Sequence, residues 1–265
     1  MNERKQAKMI NHDVPGCDLL VISPHTDDAE IGLGGTMRLL ADRGRRVWAV
    51  DLTRGELGTN ATSDERWAEA EQASAVLGVA GRAQLELPDG FIDSTDRDQV
   101  AQVVAVIRRL RPRWIVTAPD PVRHPDHQET PPLVARAAFL SRLAAWQPGS
   151  PGGRLWAQGA PWPEPVERWE TEALWTVCAD DGTPAAIFDV SAVWAAKEKA
   201  LACYASQFAR QEGRKATWIN DQAFMEKIER RGRTWGRRAG AEFGEAVCTA
   251  AHPVLQDLPD QRWVP

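Results

Sequence analysis

At 265 residues, with 43% apolar and 26% charged side chains, the chain can bury one substantial core and has the balance of a soluble globular protein. Its net charge of −5 offers no basic field for nucleic acid or anionic lipid, and no apolar stretch approaches the length that crosses a bilayer, so neither partner is expected. The polar opening "MNERKQAKMINHD" has no apolar h-region, which predicts no signal peptide, and the four scattered cysteines form no CxxC pair. Reduced thiols and a cytoplasmic location follow, with Cys17, Cys178 and Cys248 beside apolar runs as small core residues.

In chain order, "DLLVIS" (18–23), "RVWAVDLT" (46–53), "AQLELP" (83–88) and "RWIVTAP" (113–119) are short and almost continuously apolar, as buried strands are. Helical patterns lie between them near 29–43, 63–78 and 95–111. Gly44 and Gly78 suit left-handed C-caps, and Ser63 and Ser94 are placed to N-cap the second and third helices. Strand–helix–strand repetition at this spacing predicts one α/β domain over 1–265, a mostly parallel Rossmann-like sheet flanked by helices.

A helix near 129–146 precedes the Gly-, Pro- and Trp-rich stretch "QPGSPGGRLWAQGAPWPEP" (147–165), which reads as a surface loop insertion. Beyond it, "ALWTVCA" and "AAIFDVS" predict two more strands. Ser191 can cap a helix running to Phe208, a further helix covers 220–238, and "EAVCTA" returns as a strand. Trp48, Trp114 and Trp175 fall in predicted strands as core residues, while Trp156 and Trp162 in the insertion are placed to stack on a ligand or simply to pack.

This order puts "PHTDD", "TRGELGT" and "PDPVRHPDHQE" at the carboxyl ends of strands, the edge where open α/β sheets bind ligands. His25 and Asp28, three apart in a strand-to-helix turn, can face one cation, with Asp27 beside it and free. One imidazole from "HPDH" (124–127) completes a His₂Asp set with a coordination position left open, as catalytic zinc requires. Taken singly, Asp27 or Asp28 reads equally well as an N-cap, and a loop histidine as a surface residue. Two of only five histidines in one tetrapeptide at a strand end favour the site. Gly32, Gly34 and Gly35 lie inside a helical pattern and not in a G-x-G-x-x-G turn, which favours close helix packing over nucleotide binding. No G-x-S-x-G elbow is present, so a serine hydrolase is disfavoured.

"SPHTDDAEIGLGGTM" and "HPDH" resemble the two signature motifs of the LmbE/PIG-L family of zinc-dependent N-acetylglucosamine deacetylases, with Thr26 where that family usually has proline. "LTRGELGTNAT", "LELPDG" and "DVSAVWAAKEKALACYASQF" extend the likeness over nearly the whole chain, and the late segments with "TWIN" look most like the bacillithiol-biosynthesis branch. The resemblance implies zinc, or another divalent metal such as ferrous iron, on His25, Asp28 and His127. It implies Asp27 as general base, His124 (protonated) as oxyanion stabiliser and Asp126 as the group that orients a histidine. Arg66 and Asp89 match residues that hold sugar hydroxyls. Arg54 and Glu56 line the same edge, as substrate contacts or as a loop brace, and Gln207 matches without a role. The implied reaction is deacetylation of a small-molecule N-acetylglucosaminyl conjugate, first N-acetylglucosaminyl malate, with inositol, chitobiose-like or antibiotic-precursor glycosides as alternatives, by an enzyme that forms closed homo-oligomers. A sugar- or nucleotide-binding module without catalysis is the rival from another class.

Overall fold

The apolar run after Gly16 forms β1 (Cys17–Ser23), buried on both faces, and its side chains alternate between two cores. The computed structural model describes residues 16–118, 124–146, 167–210 and 212–249, and the backbone of 154–157. The chain continues through α1 (Asp28–Asp42), β2 (Val47–Thr53), α2 (Ser63–Leu77), β3 (Gly81–Leu87), α3 (Arg97–Leu110), β4 (Pro112–Thr117) and α4 (Pro125–Ser141). Then come β5 (Arg154–Ala157), β6 (Ala173–Val177), β7 (Ala186–Asp189), α5 (Trp194–Ala202), α6 (Ala205–Phe208), α7 (Gln222–Arg238) and β8 (Gly244–Cys248).

The strands form one sheet in the order β5-β3-β2-β1-β4-β6-β8-β7. β3, β2, β1, β4 and β6 are mutually parallel, while β5 and β8 run antiparallel to their neighbours. Leu20 and Ile22 of β1 join Trp48 and Val50 against Val103, Ile107, Leu133 and Val134 of α3 and α4. Leu19 and Val21 face the other way, onto Leu33, Met37, Ala73, Leu77 and Ala200 of α1, α2 and α5. Burying each such Leu, Ile or Val contributes roughly 1.5–3 kcal/mol relative to exposure. Helices thus cover both faces of a mostly parallel sheet, the predicted α/β architecture.

Several local expectations are corrected. Thr62, not Ser63, caps α2: its side chain accepts from Glu65 N–H while Glu65 bonds back to Thr62 N–H, a capping box. Asp96, not Ser94, caps α3 by accepting from Asp98 and Gln99 N–H. α4 starts at Pro125 and ends at Ser141, so most of "HPDH" is the helix's first turn, with proline at the position that needs no donor. The helix expected from Ser191 to Phe208 is broken into a 3₁₀ turn, α5 and α6. Ser191 does not cap α5; its hydroxyl donates to Asp189 and accepts from Phe243 N–H.

Trp48 and Trp175 are buried, but Trp114 is 38% exposed and stacks on Trp175 with centroids 5.5 Å apart. Cys17 and Cys178 are buried, whereas Cys248 is only half-buried, its sulfur 2.7 Å from that of Cys178. Within 147–165 the described backbone is β5, an edge strand on β3, where an irregular loop was expected. Trp162, the side chain of Trp156 and the N-terminal 1–15 lie outside the described residues.

α1 is not one continuous helix. Leu33 leaves helical geometry (φ −140°, ψ 18°). There the buried Glu245 carboxylate accepts from Gly35 and Thr36 N–H at 3.0 and 2.6 Å, and Lys197 donates to Ile31 C=O at 2.9 Å. Lys197 and Glu245 also pair at 2.5 Å. The glycines let this happen: a Cβ on Gly35 would lie 2.8 Å from Val190 Cβ. Close packing against neighbouring elements, not a phosphate turn, accounts for the glycine run.

Candidate active site

β1 and β4 are neighbours, yet the chain leaves β1 toward β2 on one side and α3 delivers β4 on the other. Their carboxyl ends therefore open a crevice at the point where strand order reverses. The β1–α1 turn carries His25 to Asp28 there, and the N-terminus of α4 brings His124 to His127.

Asp28 Oδ2 lies 3.2 Å from His25 Nδ1 and 3.2 Å from His127 Nε2. Ligand atoms in a tetrahedral site with metal–ligand bonds near 2.0 Å stand ~3.3 Å apart, so this trio has the spacing of a metal-binding set. His25 is oriented from behind: its Nε2 is 3.2 Å from Asp126 Oδ2 and 3.2 Å from Asp89 Oδ1. A proton on Nε2 toward these carboxylates leaves the Nδ1 lone pair for a cation, the carboxylate–histidine–metal arrangement. Asp126 is itself fixed by Gly90 and Ile92 N–H at 2.8 and 3.1 Å.

The charges point the same way. Burial opposes a proton on His25, but Asp126, Asp28 and Asp89 outweigh it and hold the imidazole's pKa well above its ordinary value. Burial would raise Asp28 too, yet His127 and His25 pull it far below the carboxylate range. Asp27, Asp28, Asp89 and Asp126 thus crowd one space, where among the described residues Arg66 pairs with Asp27, and a divalent cation held there would neutralise that excess.

Asp27 occupies the N-cap position of α1 but makes no capping bond, so the cap reading does not account for it. Its buried carboxylate lies 3.6 Å from Arg66 Nη2, and burial raises its pKa against the pull of that guanidinium. His124, by contrast, does cap a helix: its Nδ1 accepts Asp126 N–H at 3.3 Å. With Nδ1 accepting, the ring is a neutral imidazole with its proton on Nε2. Burial and then the nearby His25 also hold its pKa below the ordinary value, against the expected protonated form.

The four expected sugar contacts separate. Arg66 reaches the cluster and also donates to Gly55 C=O. Gly55 sits at φ +63°, and a Cβ there would lie 2.0 Å from the guanidinium. Asp89 reaches it too, but both oxygens are engaged, one by His25 and the other by Leu57 N–H at 2.9 Å. Burial raises its pKa, and these bonds outweigh it to hold Asp89 at about 2. Glu56 accepts from Asp89 N–H at 2.9 Å, and Arg54 faces Asp64 and Glu86 at 3.8 Å each, so both brace the loop. Gln207 donates to the Ser206 hydroxyl, which is held by Glu69.

Behind the turn lies a network that motif reading missed. Arg82 is fully buried, bidentate to Asp51 at 2.6 and 2.7 Å and bonded to Glu30 at 2.6 Å. Both Arg82 and the Tyr204 hydroxyl donate to Thr26 C=O, clamping the turn between the ligands. Burial, with Glu30 nearby and Arg82 opposing, pushes Asp51 up to about 6. Part of the signal was present in the sequence: Asp51 is a charge inside an apolar strand, whereas Arg82 lies one residue before the predicted third strand.

Comparison with known proteins places the chain in a family. The family model described as GlcNAc-PI de-N-acetylase (PIG-L) matches residues 20–138. A Mycobacterium leprae 1D-myo-inositol 2-acetamido-2-deoxy-alpha-D-glucopyranoside deacetylase is 30% identical over 251 residues, covering 71% of this chain and 80% of its own. A probable N-acetyl-alpha-D-glucosaminyl L-malate deacetylase 2 of Bacillus cereus is 32% identical over 137 residues, 47% of this chain and 61% of its own. The conserved protein TT1542 of Thermus thermophilus superposes with a TM-score of 0.75 at 30% identity, over 93% of this chain and 100% of that one. The chain therefore belongs to the PIG-L/LmbE family of N-deacetylases.

Proposed function

We propose that the protein is a zinc-dependent hydrolase that removes the acetyl group from an N-acetylglucosamine conjugate, with His25, Asp28 and His127 holding the metal. The observation that carries this is the meeting of two imidazoles and one carboxylate at a single point, with a second carboxylate, Asp27, beside them and paired with Arg66. A divalent metal there supplies Lewis-acid polarisation and makes water available as a nucleophile near neutral pH.

The rest is the work of the chain's own groups. Asp27 takes a proton from the attacking water, Arg66 keeping its carboxylate in place, and returns it to the departing amine. His124 donates from Nε2–H to the developing oxyanion as a neutral imidazole, because Nδ1 is occupied by the α4 cap. Asp126 fixes the tautomer and orientation of His25.

Two aglycones have support from relatives. Malate is favoured by the likeness of the late segments and by the Bacillus cereus protein, inositol by the longer alignment to the Mycobacterium leprae protein. The test is a deacetylation assay on N-acetylglucosaminyl malate, N-acetylglucosaminyl inositol and free N-acetylglucosamine, with and without chelator. Zinc-restorable amine release is expected; turnover indifferent to chelation rejects the metal assignment.

A further inference from the structure

Cys178 directly follows β6 and Cys248 ends β8, and the proposed chemistry uses neither. The two strands pair antiparallel, with Thr176 opposite Cys248 and Val177 opposite Val247, and Cys178 N–H donates to Ala246 C=O at 2.8 Å. Cys178 therefore stands across from Ala246, and Ala246 and Cys248, two apart on one strand, point to the same face of the sheet. The two thiols are diagonal neighbours on that face, and they meet: their sulfurs lie 2.7 Å apart. A disulfide holds its sulfurs about 2.05 Å apart, so closing one here asks for a small movement of two side chains.

The surroundings are built around the pair. A Cβ on Gly182 would lie 2.7 Å from Cys178 Sγ, so the Ala179–Gly182 turn closes over this sulfur because glycine leaves it room. Trp235 and Ala246 pack against Cys178, with Cys248 beside them. Cys178 is 1% exposed, whereas Cys248 is half-buried, its sulfur also 3.3 Å from Thr183 C=O. Burial, and next the Cys248 thiol, push Cys178 up to about 12, so it stays protonated and shielded. Cys248 is the sulfur that a reagent in solution meets. The other two cysteines donate to backbone carbonyls instead, Cys17 to Leu19 and Cys203 to Lys199.

We propose that Cys178 and Cys248 form a dithiol oxidation site, which a low-molecular-weight disulfide converts to an internal disulfide. Cys248 Sγ, as thiolate, attacks one sulfur of the reagent, breaks its S–S bond and expels one small thiolate. Cys178 Sγ then attacks Cys248 Sγ, breaks the mixed disulfide and expels the second. The protons lost by the two cysteines end on the two small thiols, and two electrons pass from protein to reagent. The bridge fastens β6 to β8, the strand whose Glu245 braces α1. It stands apart from the deacetylase reading, so turnover is not the readout.

The test incubates the reduced full chain with excess 2-hydroxyethyl disulfide and maps peptides by mass spectrometry without reduction. The expected product is one pair of peptides joined through Cys178 and Cys248, two hydrogens lighter than the separate peptides and released by dithiothreitol. Cys178→Ser is expected to hold one reagent half on Cys248, and Cys248→Ser to leave Cys178 unmodified until urea unfolds the chain. The bridged protein should melt several degrees above the reduced one, because the link closes a long loop of the unfolded chain. Free thiols at both positions after prolonged exposure overturn the proposal, as does a bridge from either cysteine to Cys17, Cys203 or a second chain. A bridged protein that melts below the reduced one also overturns it, because the folded strands then do not accommodate the bond.

Discussion

Asp27 and Asp28 are adjacent in the chain and face different partners: Asp28 touches two imidazoles, Asp27 a guanidinium. Asp28→Ala should therefore lose the metal, while Asp27→Ala should retain it and lose turnover by ~10²–10⁴-fold, the contribution of general acid–base catalysis. Metal analysis of both purified variants, beside kcat, exposes an exchanged assignment. Asp126→Asn removes the charge behind His25 and leaves one oxygen where Oδ2 now serves both Gly90 N–H and His25 and Oδ1 serves Ile92 N–H. An amide donor is thus forced against one of these donors, and metal affinity should fall ~10–100-fold in a competitive chelator titration. Thr26 stands where the family usually has proline, whose ring would stiffen the turn. Instead its carbonyl is clamped by Arg82 and Tyr204, while its buried hydroxyl has no partner among the described residues. Thr26→Val should leave the melting temperature unchanged or raise it, since an unsatisfied buried hydroxyl costs about 1–3 kcal/mol; a fall would show that the hydroxyl has found a bond. The ligand cluster was legible because its residues sit in two short motifs. The engagement of Asp89 was not, because its partners His25 and Leu57 come from other loops that only the sheet brings together.

Among the elements, α1 depends most on groups remote in sequence. Glu245→Gln weakens the cap on its second segment and leaves Lys197 buried without a counter-charge, which should destabilise the fold by about 3–5 kcal/mol. Adding Lys197→Met should recover much of that loss, which urea unfolding of the single and double variants measures. Periodicity located α1 within one residue at each end yet gave no sign of the break, because Leu33 fits the apolar face whether or not its backbone is helical. Capping was partly legible. Glu65 lies three residues after Thr62, the capping-box spacing, whereas the residue three after Ser63 is Arg66. In the run from Ser94 to Asp96 every side chain is able to cap, and the choice falls to Asp96 because Thr95 is turned aside onto Asp93.

For the molecule as a whole, the parallel strands β1 to β4 were readable because burial makes β1 and β2 almost continuously apolar and leaves apolar runs in β3 and β4. β5 was not, because a four-residue edge strand carries too little pattern to stand out in a Gly- and Pro-rich stretch. Neither of the two large cores contains a proposed metal ligand, so chelation should leave the protein folded and lower its melting temperature. Zinc at a hundred times its Kd should add about 2.7 kcal/mol, several degrees for a chain of this size, in a thermal-shift titration. Asp28→Ala should abolish the increment. All three proposed metal ligands precede residue 128, while the carboxylate that braces α1 comes from β8, the last of the described strands. A growing polypeptide therefore carries its proposed cation-binding groups before Glu245 is made, and only translation of β8 supplies the carboxylate that braces the break in α1.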